Sequence, residues 1–376
     1  MRIFFNCLSI LEGGQITRAN NFISNLIWKQ KEAKLIILTN ENLANQLNHN
    51  KKFFKHEQIK VRFKDFLPFT NLQRIIWENI FLNKYIRESD SDIYISFSNY
   101  FPLIKPKVPS IIGVSNMAPF SKDAYKCSSS LDKLRLKFLK FSILNSSKKA
   151  TKVFALSNTC KKELVKNGIH KSKITVIENG VEQFSRKKTN KSSQILITYI
   201  SHFYNYKNHQ ILLKAFSIIP NHLRKDFKLI LGGKFHDKSY VKKLLKLTEF
   251  LNISSNCKFI NGLNKSELKD IYNKTDLFIF PSLIENCPNV LLEALSFGLP
   301  ILCSNKMPMP EFGKDAVEYF DPYNEVELSK KIVSLLQNKE KLNTMETNSK
   351  KLSSTYSWDK FSSKILSLCN TCLKKC

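Results

Sequence analysis

Short apolar runs alternate with longer helical patterns along most of the chain. Ile3–Phe5 and Ile195–Ile200 are examples of the runs, and Thr17–Lys31 and Leu72–Glu88 are examples of the helical segments between them. Parallel strands need a long crossover connection, usually a helix, so this alternation predicts βαβ units and an α/β fold. The other runs of strand type are Leu35–Leu38, Ile93–Phe97, Val153–Leu156, Lys228–Leu231, Leu277–Phe280 and Pro300–Cys303.

A polar stretch divides the 376 residues into two halves of similar size. Residues 185–193 have no apolar periodicity and are predicted to be a linker between residues 1–184 and 194–355. Residues 356–376 are predicted to form a C-terminal helix that would pack back on the first half. Each half opens with a strand, so we expect two facing Rossmann-like, doubly wound domains with a cleft between them, where ligands would meet the carboxyl ends of the strands.

The chain is strongly basic, with 60 Lys and Arg against 31 Asp and Glu and a formal charge of +29. This charge favours nucleic acid, anionic lipid or phosphorylated substrates as partners, although a compositional bias toward lysine would produce it equally well. Neither a zinc-finger spacing nor an aromatic ribonucleoprotein signature occurs, so no nucleic-acid partner is predicted. The start lacks the pattern of a signal peptide and no apolar stretch approaches membrane-spanning length, so a cytoplasmic location is expected.

The strongest chemical signal lies in residues 280–300. A strand ends at Phe280, a loop carries Glu285, and Pro288 is predicted in the first turn of a helix that contains Glu293. The start of a helix offers unpaired backbone N–H groups and a positive dipole end, which together favour phosphate. The two carboxylates can accept hydrogen bonds from the paired hydroxyls of sugars.

This segment resembles the E-x7-E signature of retaining glycosyltransferases of family 4, with Glu285 and Glu293 on its two positions. The resemblance implies a GT-B fold and transfer of a hexose from a nucleotide-diphosphate sugar with retained anomeric configuration. Glu285 would orient the sugar and Glu293 would hold the ribose. The bacterial polysaccharide-type members are the most similar, which implies synthesis of lipopolysaccharide, O-antigen, capsule or exopolysaccharide.

A second resemblance covers residues 199–209. Lys207 falls on the lysine with which the family holds the donor diphosphate, where an ammonium group would stabilise the charge of the leaving group. Ser201 and His202 stand where the family usually has Gly and Arg, and an imidazole cannot replace a permanently charged guanidinium.

Other parts of the family pattern supply the remaining expected contacts. Gly13 and Gly14 would let the backbone approach the donor closely, and Gly262 and Leu263 would meet the nucleotide base. The resemblance thus implies Lys207 and Glu285 as catalytic residues, within a donor-binding set that comprises Gly13, Gly14, His202, Lys207, Gly262, Leu263, Glu285, Asn286, Cys287, Asn289, Val290 and Glu293.

The acceptor side is predicted in the first half. Asn116 and Pro119 resemble an acceptor-side loop, although Ser115 stands where many relatives carry His. Further on, Leu131–Leu144 reads as an amphipathic helix with two stripes, one basic and one apolar. Either this helix contacts an anionic membrane surface or it is an ordinary surface helix. The basic stripe consists of Lys133, Lys137 and Lys140, and the apolar stripe of Leu131, Leu134, Phe138 and Phe141.

Two patterns mimic metal sites without predicting one. Asp90 and Asp92 form a DxD sequence directly before a strand, where a polar loop is expected in any case. Cys369, Cys372 and Cys376 have metal-like spacing, but a structural zinc site needs four ligands. No metal and no cofactor are therefore expected, and the nucleotide sugar would be a co-substrate.

Two other functions stay open from the sequence. One is a GT-B epimerase or phosphorylase, which would act without an acceptor glycan. The other is a non-catalytic protein that binds nucleotide sugars, a reading that His202 and Ser115 favour. The acceptor itself, a glycan or a lipid-linked glycan, is not fixed by the residues.

Overall fold

The computed structural model describes residues 1–10, 14–29, 34–40, 43–45, 58–60, 70–100, 103–187 and 194–374. The strands are β1 (Arg2–Asn6), β2 (Lys34–Thr39), β3 (Gln58–Lys60), β4 (Ile93–Ser96), β5 (Ser110–Val114), β6 (Lys152–Ala155), β7 (Ile174–Val176), β8 (Ile195–Ile200), β9 (Phe227–Gly233), β10 (Cys257–Asn261), β11 (Leu277–Phe280), β12 (Ile301–Ser304) and β13 (Glu318–Phe320). The helices are α1 (Gly14–Lys29), α2 (Thr70–Glu88), α3 (Lys122–Lys126), α4 (Ser130–Lys149), α5 (Asn158–Lys166), α6 (His209–Ile218), α7 (Asn221–Arg224), α8 (Lys238–Phe250), α9 (Lys265–Lys274), α10 (Asn289–Ser296), α11 (Met309–Gly313), α12 (Glu325–Gln337), α13 (Lys339–Ser353) and α14 (Trp358–Leu373).

The chain divides into two compact units. The first unit comprises Met1–Phe120, Ser130–Gly180 and Ser357–Cys376, and the second comprises Ser121–Ser129 and Val181–Tyr356. Ser121–Ser129 thus groups with the second unit, whereas the predicted boundary at residue 184 leaves it in the first half. Of the predicted linker, residues 188–193 lie outside the described residues.

Each unit is built on its own parallel sheet. Within the described residues, the first sheet has the strand order β3-β2-β1-β4-β5-β6-β7 and the second has the order β10-β9-β8-β11-β12-β13. The order reverses beside β1 in one sheet and beside β8 in the other, which is the doubly wound arrangement. Strands such as β4, β5 and β11 are buried along their whole length, as expected for a sheet covered on both faces. The α/β prediction is confirmed.

The C-terminal helix α14 belongs to the first unit. Its Phe361 ring lies 6.4 Å from that of Phe22, 5.8 Å from that of Phe97 and 6.1 Å from that of Phe154, measured between ring centroids. These contacts bury Phe361 almost completely. The last helix of the chain therefore completes the core that its first strands begin.

Segment Ser121–Ser129 is held in the second unit by a polar cluster. The Asp123 carboxylate accepts a hydrogen bond from the Tyr323 hydroxyl at 2.7 Å and pairs with Lys306 Nζ at 2.9 Å. Lys306 Nζ also lies 5.1 Å from the centre of the Tyr323 ring. Asp123 is 8% exposed, so its carboxylate is buried, and the two partners satisfy it there.

The two metal-like patterns have structural explanations. Asp90 accepts a hydrogen bond from the Arg2 side chain at 2.6 Å, and Asp92 accepts one from the Arg2 backbone N–H at 2.7 Å. Cys369 and Cys372 are buried on α14, and Cys376 lies outside the described residues. Within the described ranges no group of three or more His, Cys, Asp or Glu side chains is arranged to hold a metal ion, and no helix there is long and apolar enough to cross a membrane.

Candidate functional site

Two predicted site residues meet at the carboxyl ends of β8 and β11. Lys207 ends a 3-10 turn that follows β8, and Glu285 lies in the loop after β11. Lys207 Nζ donates a hydrogen bond to Glu285 Oε1 at 2.5 Å. The two side chains are 15% and 12% exposed, so bulk water screens this ion pair less than it screens a surface pair. The position of each charge is therefore set by the other.

Backbone contacts fix the loop that carries Lys207. The Tyr199 hydroxyl donates to the Lys207 carbonyl at 2.9 Å, and the Leu283 N–H donates to the Tyr206 carbonyl at 2.9 Å. The second bond ties the Lys207 loop to the Glu285 loop. Asn208, in the left-handed conformation at φ +59°, then turns the chain into α6. Two loops that are distant in sequence are thus joined by hydrogen bonds into one frame.

Glu293 has very different surroundings from Glu285. It lies within α10 and is half-buried. No described residue forms a hydrogen bond or an ion pair with its carboxylate. Burial raises the pKa of Glu293 to about 7, because an unpaired carboxylate is poorly solvated there. Hydroxyl groups of a ligand would relieve this cost by donating hydrogen bonds to the ionised form.

The start of α10 agrees in part with the prediction. The helix begins at Asn289, so Pro288 is its N-cap and not a residue of its first turn. Pro288 provides no side-chain hydrogen bond to the first backbone N–H groups, and the dipole of this eight-residue helix is positive at that end. Asn286 is buried, while Cys287 and Val290 are half-buried. The first turn of α10 therefore directly follows the loop of Glu285 and can present backbone amides to an anion.

Glycines allow three neighbouring strands to end close together. Gly233, at φ +149°, ends β9, and a Cβ atom there would lie 1.9 Å from the Ser201 carbonyl oxygen. Gly262, at φ +70°, is exposed and donates its N–H to the Gly233 carbonyl at 3.1 Å. Leu263 packs closely over Gly232. The sequence reasoning missed Gly232 and Gly233, although a glycine pair that ends a predicted strand is a usable signal.

His202 belongs to a row of aromatic rings from the loops that follow β8 and β9. Its Nδ1 accepts a hydrogen bond from the Lys234 N–H at 3.4 Å, so the neutral ring carries its proton on Nε2. The His202 ring lies edge-on to that of His236 at 4.9 Å. Tyr204 stacks between His236 at 5.0 Å and Tyr206 at 5.5 Å. The sequence reasoning did not single out Tyr204 and Tyr206, although they lie beside Lys207 in the same loop. It missed His236 because only the pairing of β8 with β9 brings that residue's loop next to His202.

The predicted residues of the first unit lie at the start of α1 and after β5. Gly13 lies outside the described residues, whereas Gly14 begins α1. The Gln15 side chain donates to the Ser115 hydroxyl at 3.4 Å, which joins the start of α1 to the loop after β5. Asn116 Oδ1 accepts the Ala118 N–H at 3.0 Å. This contact shapes the turn that leads to the neighbouring Pro119, which is buried.

Comparison with known protein families gives two matches that together span most of the chain. Residues 181–352 match the family described as Glycosyl transferases group 1. Residues 29–183 match the family described as Glycosyltransferase Family 4.

Two curated relatives are glycosyltransferases named for capsular polysaccharide and for the O-antigen chain. The chain is 27% identical to the capsular polysaccharide biosynthesis glycosyltransferase CapH of Staphylococcus aureus, over 49% of this chain and 50% of that protein. It is 30% identical to the O-antigen chain mannosyltransferase B of Escherichia coli, over 35% of this chain and 34% of that protein. The chain spans half or less of the length of these relatives.

A solved structure shows the same fold over its full length. The backbone superposes on HepE of Anabaena in complex with UDP-glucose with a TM-score of 0.73 and 16% sequence identity. The superposition covers 99% of this chain and 100% of that one. At this identity the likeness establishes the fold alone.

Proposed function

Because the chain belongs to the group 1, family 4 glycosyltransferases and has their GT-B fold, we propose that it transfers a hexose from a nucleotide-diphosphate sugar to a glycan. The product would be a bacterial surface polysaccharide. The observation that carries this proposal is the Lys207–Glu285 pair, held 2.5 Å apart at the carboxyl ends of β8 and β11. This is the edge at which open α/β sheets bind their ligands.

Lys207 and the first turn of α10 would stabilise the leaving group. When the bond between the sugar and the diphosphate breaks, negative charge develops on the phosphate oxygens. The Lys207 ammonium and the amides near Asn289 would meet this charge from positions already set by the fold, which reduces the reorganisation needed during the reaction. The proposal uses no metal ion and no other cofactor.

Glu285 and Glu293 would hold the two ends of the donor. Glu285 would accept hydrogen bonds from hydroxyls of the transferred sugar while it keeps Lys207 in place. Glu293 would accept them from the ribose. As the family resemblance implies, the departing phosphate oxygen would take the proton of the acceptor hydroxyl, and the anomeric configuration would be retained.

The comparisons support the choice of donor and acceptor. HepE was solved with UDP-glucose, which supports a nucleotide sugar as the donor of this chain. CapH and mannosyltransferase B are named for capsule and O-antigen, which supports a glycan or a lipid-linked glycan as the acceptor. We place the reaction in the cytoplasm at the inner face of the plasma membrane, with Lys133, Lys137 and Lys140 toward anionic lipid.

A donor screen tests the proposal. The purified chain is incubated with a panel of nucleotide sugars and with glycan acceptors, and free nucleoside diphosphate is measured. We expect the release of nucleoside diphosphate to depend on an acceptor. We also expect Lys207→Ala to reduce this release strongly. Binding of a nucleoside diphosphate without sugar release from any donor would indicate a binding protein instead. Turnover that needs no acceptor would indicate an epimerase or a phosphorylase.

A further inference from the structure

Four large apolar side chains of α4 face solvent. Leu131, Leu134, Phe138 and Phe141 are 81%, 67%, 62% and 63% exposed. Their spacing of three, four and three residues places them on one face of the helix. We call these four residues the outer stripe. Folded proteins rarely expose a contiguous apolar patch unless it binds a partner or a membrane.

The outer stripe is not the face by which α4 packs on the first unit. Ile143 is fully buried in the core of that unit, and Leu139 and Leu144 pack against the same core. At about 100° per residue, Leu139 and Ile143 lie on the side of the helix roughly opposite the outer stripe. The helix is thus anchored by one apolar face and presents another, which folding of the unit does not require.

Positive charges border the outer stripe on both sides. Lys133, Lys137 and Lys140 follow one flank of the helix and Arg135 lies on the other, by the same angular spacing. Asp132 is the one acidic residue among the twenty of α4. An apolar face between basic flanks is typical of helices that lie in the plane of a membrane surface, where the cations reach anionic head groups.

We propose that α4 docks on an anionic lipid bilayer, with the outer stripe inserted among the acyl chains and the flanking lysines at the head groups. The proposal rests on the proposed function for the identity of the membrane, which would carry the acceptor. A second copy of the chain fits the stripe less well. Two such helices placed face to face would bring basic flanks together with one carboxylate on each helix.

Vesicle sedimentation of the full chain tests the docking directly. The vesicles contain phosphatidylcholine alone or with about a third phosphatidylglycerol, which supplies the negative surface potential. Replacement of all four outer-stripe residues by Ser should weaken binding to the anionic vesicles by about tenfold or more, because the inserted apolar area is lost. The variant Lys133→Gln/Lys137→Gln/Lys140→Gln should lose most of the preference for anionic over neutral vesicles.

A matched control comes from the second unit. Phe250, at the end of α8, is 82% exposed, so Phe250→Ser removes a highly exposed ring from the other unit and should leave binding unchanged. Thermal unfolding of each variant checks the fold, which these replacements of exposed side chains should preserve.

Three results would overturn the docking proposal: absence of binding of the unaltered chain to anionic vesicles, equal binding by the Ser variant, or a dimer in light scattering that the Ser variant abolishes. Transfer to a water-soluble acceptor without vesicles tests the function separately. If the chain binds vesicles but transfers no sugar, the proposed function fails while the docking surface stands.

Discussion

The two glutamates of the E-x7-E signature lie in opposite electrostatic surroundings. Glu285 is bound to Lys207 at 2.5 Å, whereas the Glu293 carboxylate has neither a hydrogen-bond nor an ion-pair partner among the described residues. Burial raises the pKa of Glu293 to about 7. One glutamate is therefore held by a cation, whereas the other is a half-buried carboxyl group to which a ligand could donate hydrogen bonds.

The unpaired glutamate has a consequence for the stability of the folded protein. A carboxyl group whose pKa rises from 4.5 to about 7 destabilises the folded protein at high pH, because the ionised form is less favourable there than in the unfolded chain. Perturbed carboxyl groups without a structural partner are typical of functional sites, and Glu293 fits that description.

The largest expected effect follows from neutralising the paired glutamate. Glu285→Gln should lower kcat for sugar transfer by about a hundredfold to a thousandfold, as the loss of a preorganised charged contact does in other enzymes. The initial rate of nucleoside diphosphate release measures it. Glu346→Gln is the matched control, because Glu346 pairs with Arg186 at 3.0 Å in the same unit and is not among the predicted site residues. Equal loss in both variants would show that the effect is structural.

Replacing Lys207 should show how much the Lys207–Glu285 pair stabilises the two loops. Lys207→Met leaves the Glu285 carboxylate half-buried without its partner and should lower the free energy of unfolding by about 2 kcal/mol at pH 8. Adding Glu285→Gln to that variant should restore part of the loss, and urea unfolding of the two single variants and the double variant measures the coupling. Additive effects would mean that the pair does not stabilise the loops.

Neutralising Glu293 should raise the free energy of unfolding, which is the opposite of the effect expected for Lys207→Met. Glu293→Gln removes an ionised group that burial disfavours, so it should raise the free energy of unfolding by about 1–2 kcal/mol at pH 8. The stability contribution of the neutral carboxyl is present below its unfolded pKa of 4.5 and is lost as pH rises through about 7. The gain from Gln should therefore vanish near pH 4.5. An equal gain at both pH values in urea unfolding would contradict this reading.

The smallest effect concerns ligand affinity. If the ribose binds the ionised form of Glu293, nucleoside diphosphate affinity should increase by about tenfold between pH 6 and pH 8, because protonation competes with binding below the pKa. Calorimetric titration across this range measures it. Glu293→Gln should bind more weakly at pH 8 and should lose that part of the pH dependence, which separates it from titration of the ligand's own phosphates.

Local patterns in the sequence predicted much of the fold and part of the site. The apolar runs at Leu277–Phe280 and Ile195–Ile200 became β11 and β8 because buried parallel strands need continuous apolar sequence. Glu285 and Glu293 could be found because their signature lies within one loop and one helix. The bond between Lys207 and Glu285 could not be derived from spacing, since it joins residues 78 positions apart.

The orientation of α4 could not be predicted from the periodicity of its sequence. Leu131, Leu134, Phe138 and Phe141 repeat at helical spacing, and so do the inner residues Leu139 and Ile143. Periodicity finds both faces but does not say which one packs inward. Only the position of the helix in the first unit shows that the four residues of the outer stripe point outward.

The segment Ser121–Ser129 has a consequence for the modularity of the chain. Its Asp123 neutralises Lys306 and receives the Tyr323 hydroxyl, yet the flanking stretches of chain build the other unit. A chimera that exchanges only residues 181–356 with a relative would bring a foreign surface to this carboxylate. Recombination of the two units between relatives should therefore succeed only when residues 121–129 are exchanged together with residues 181–356.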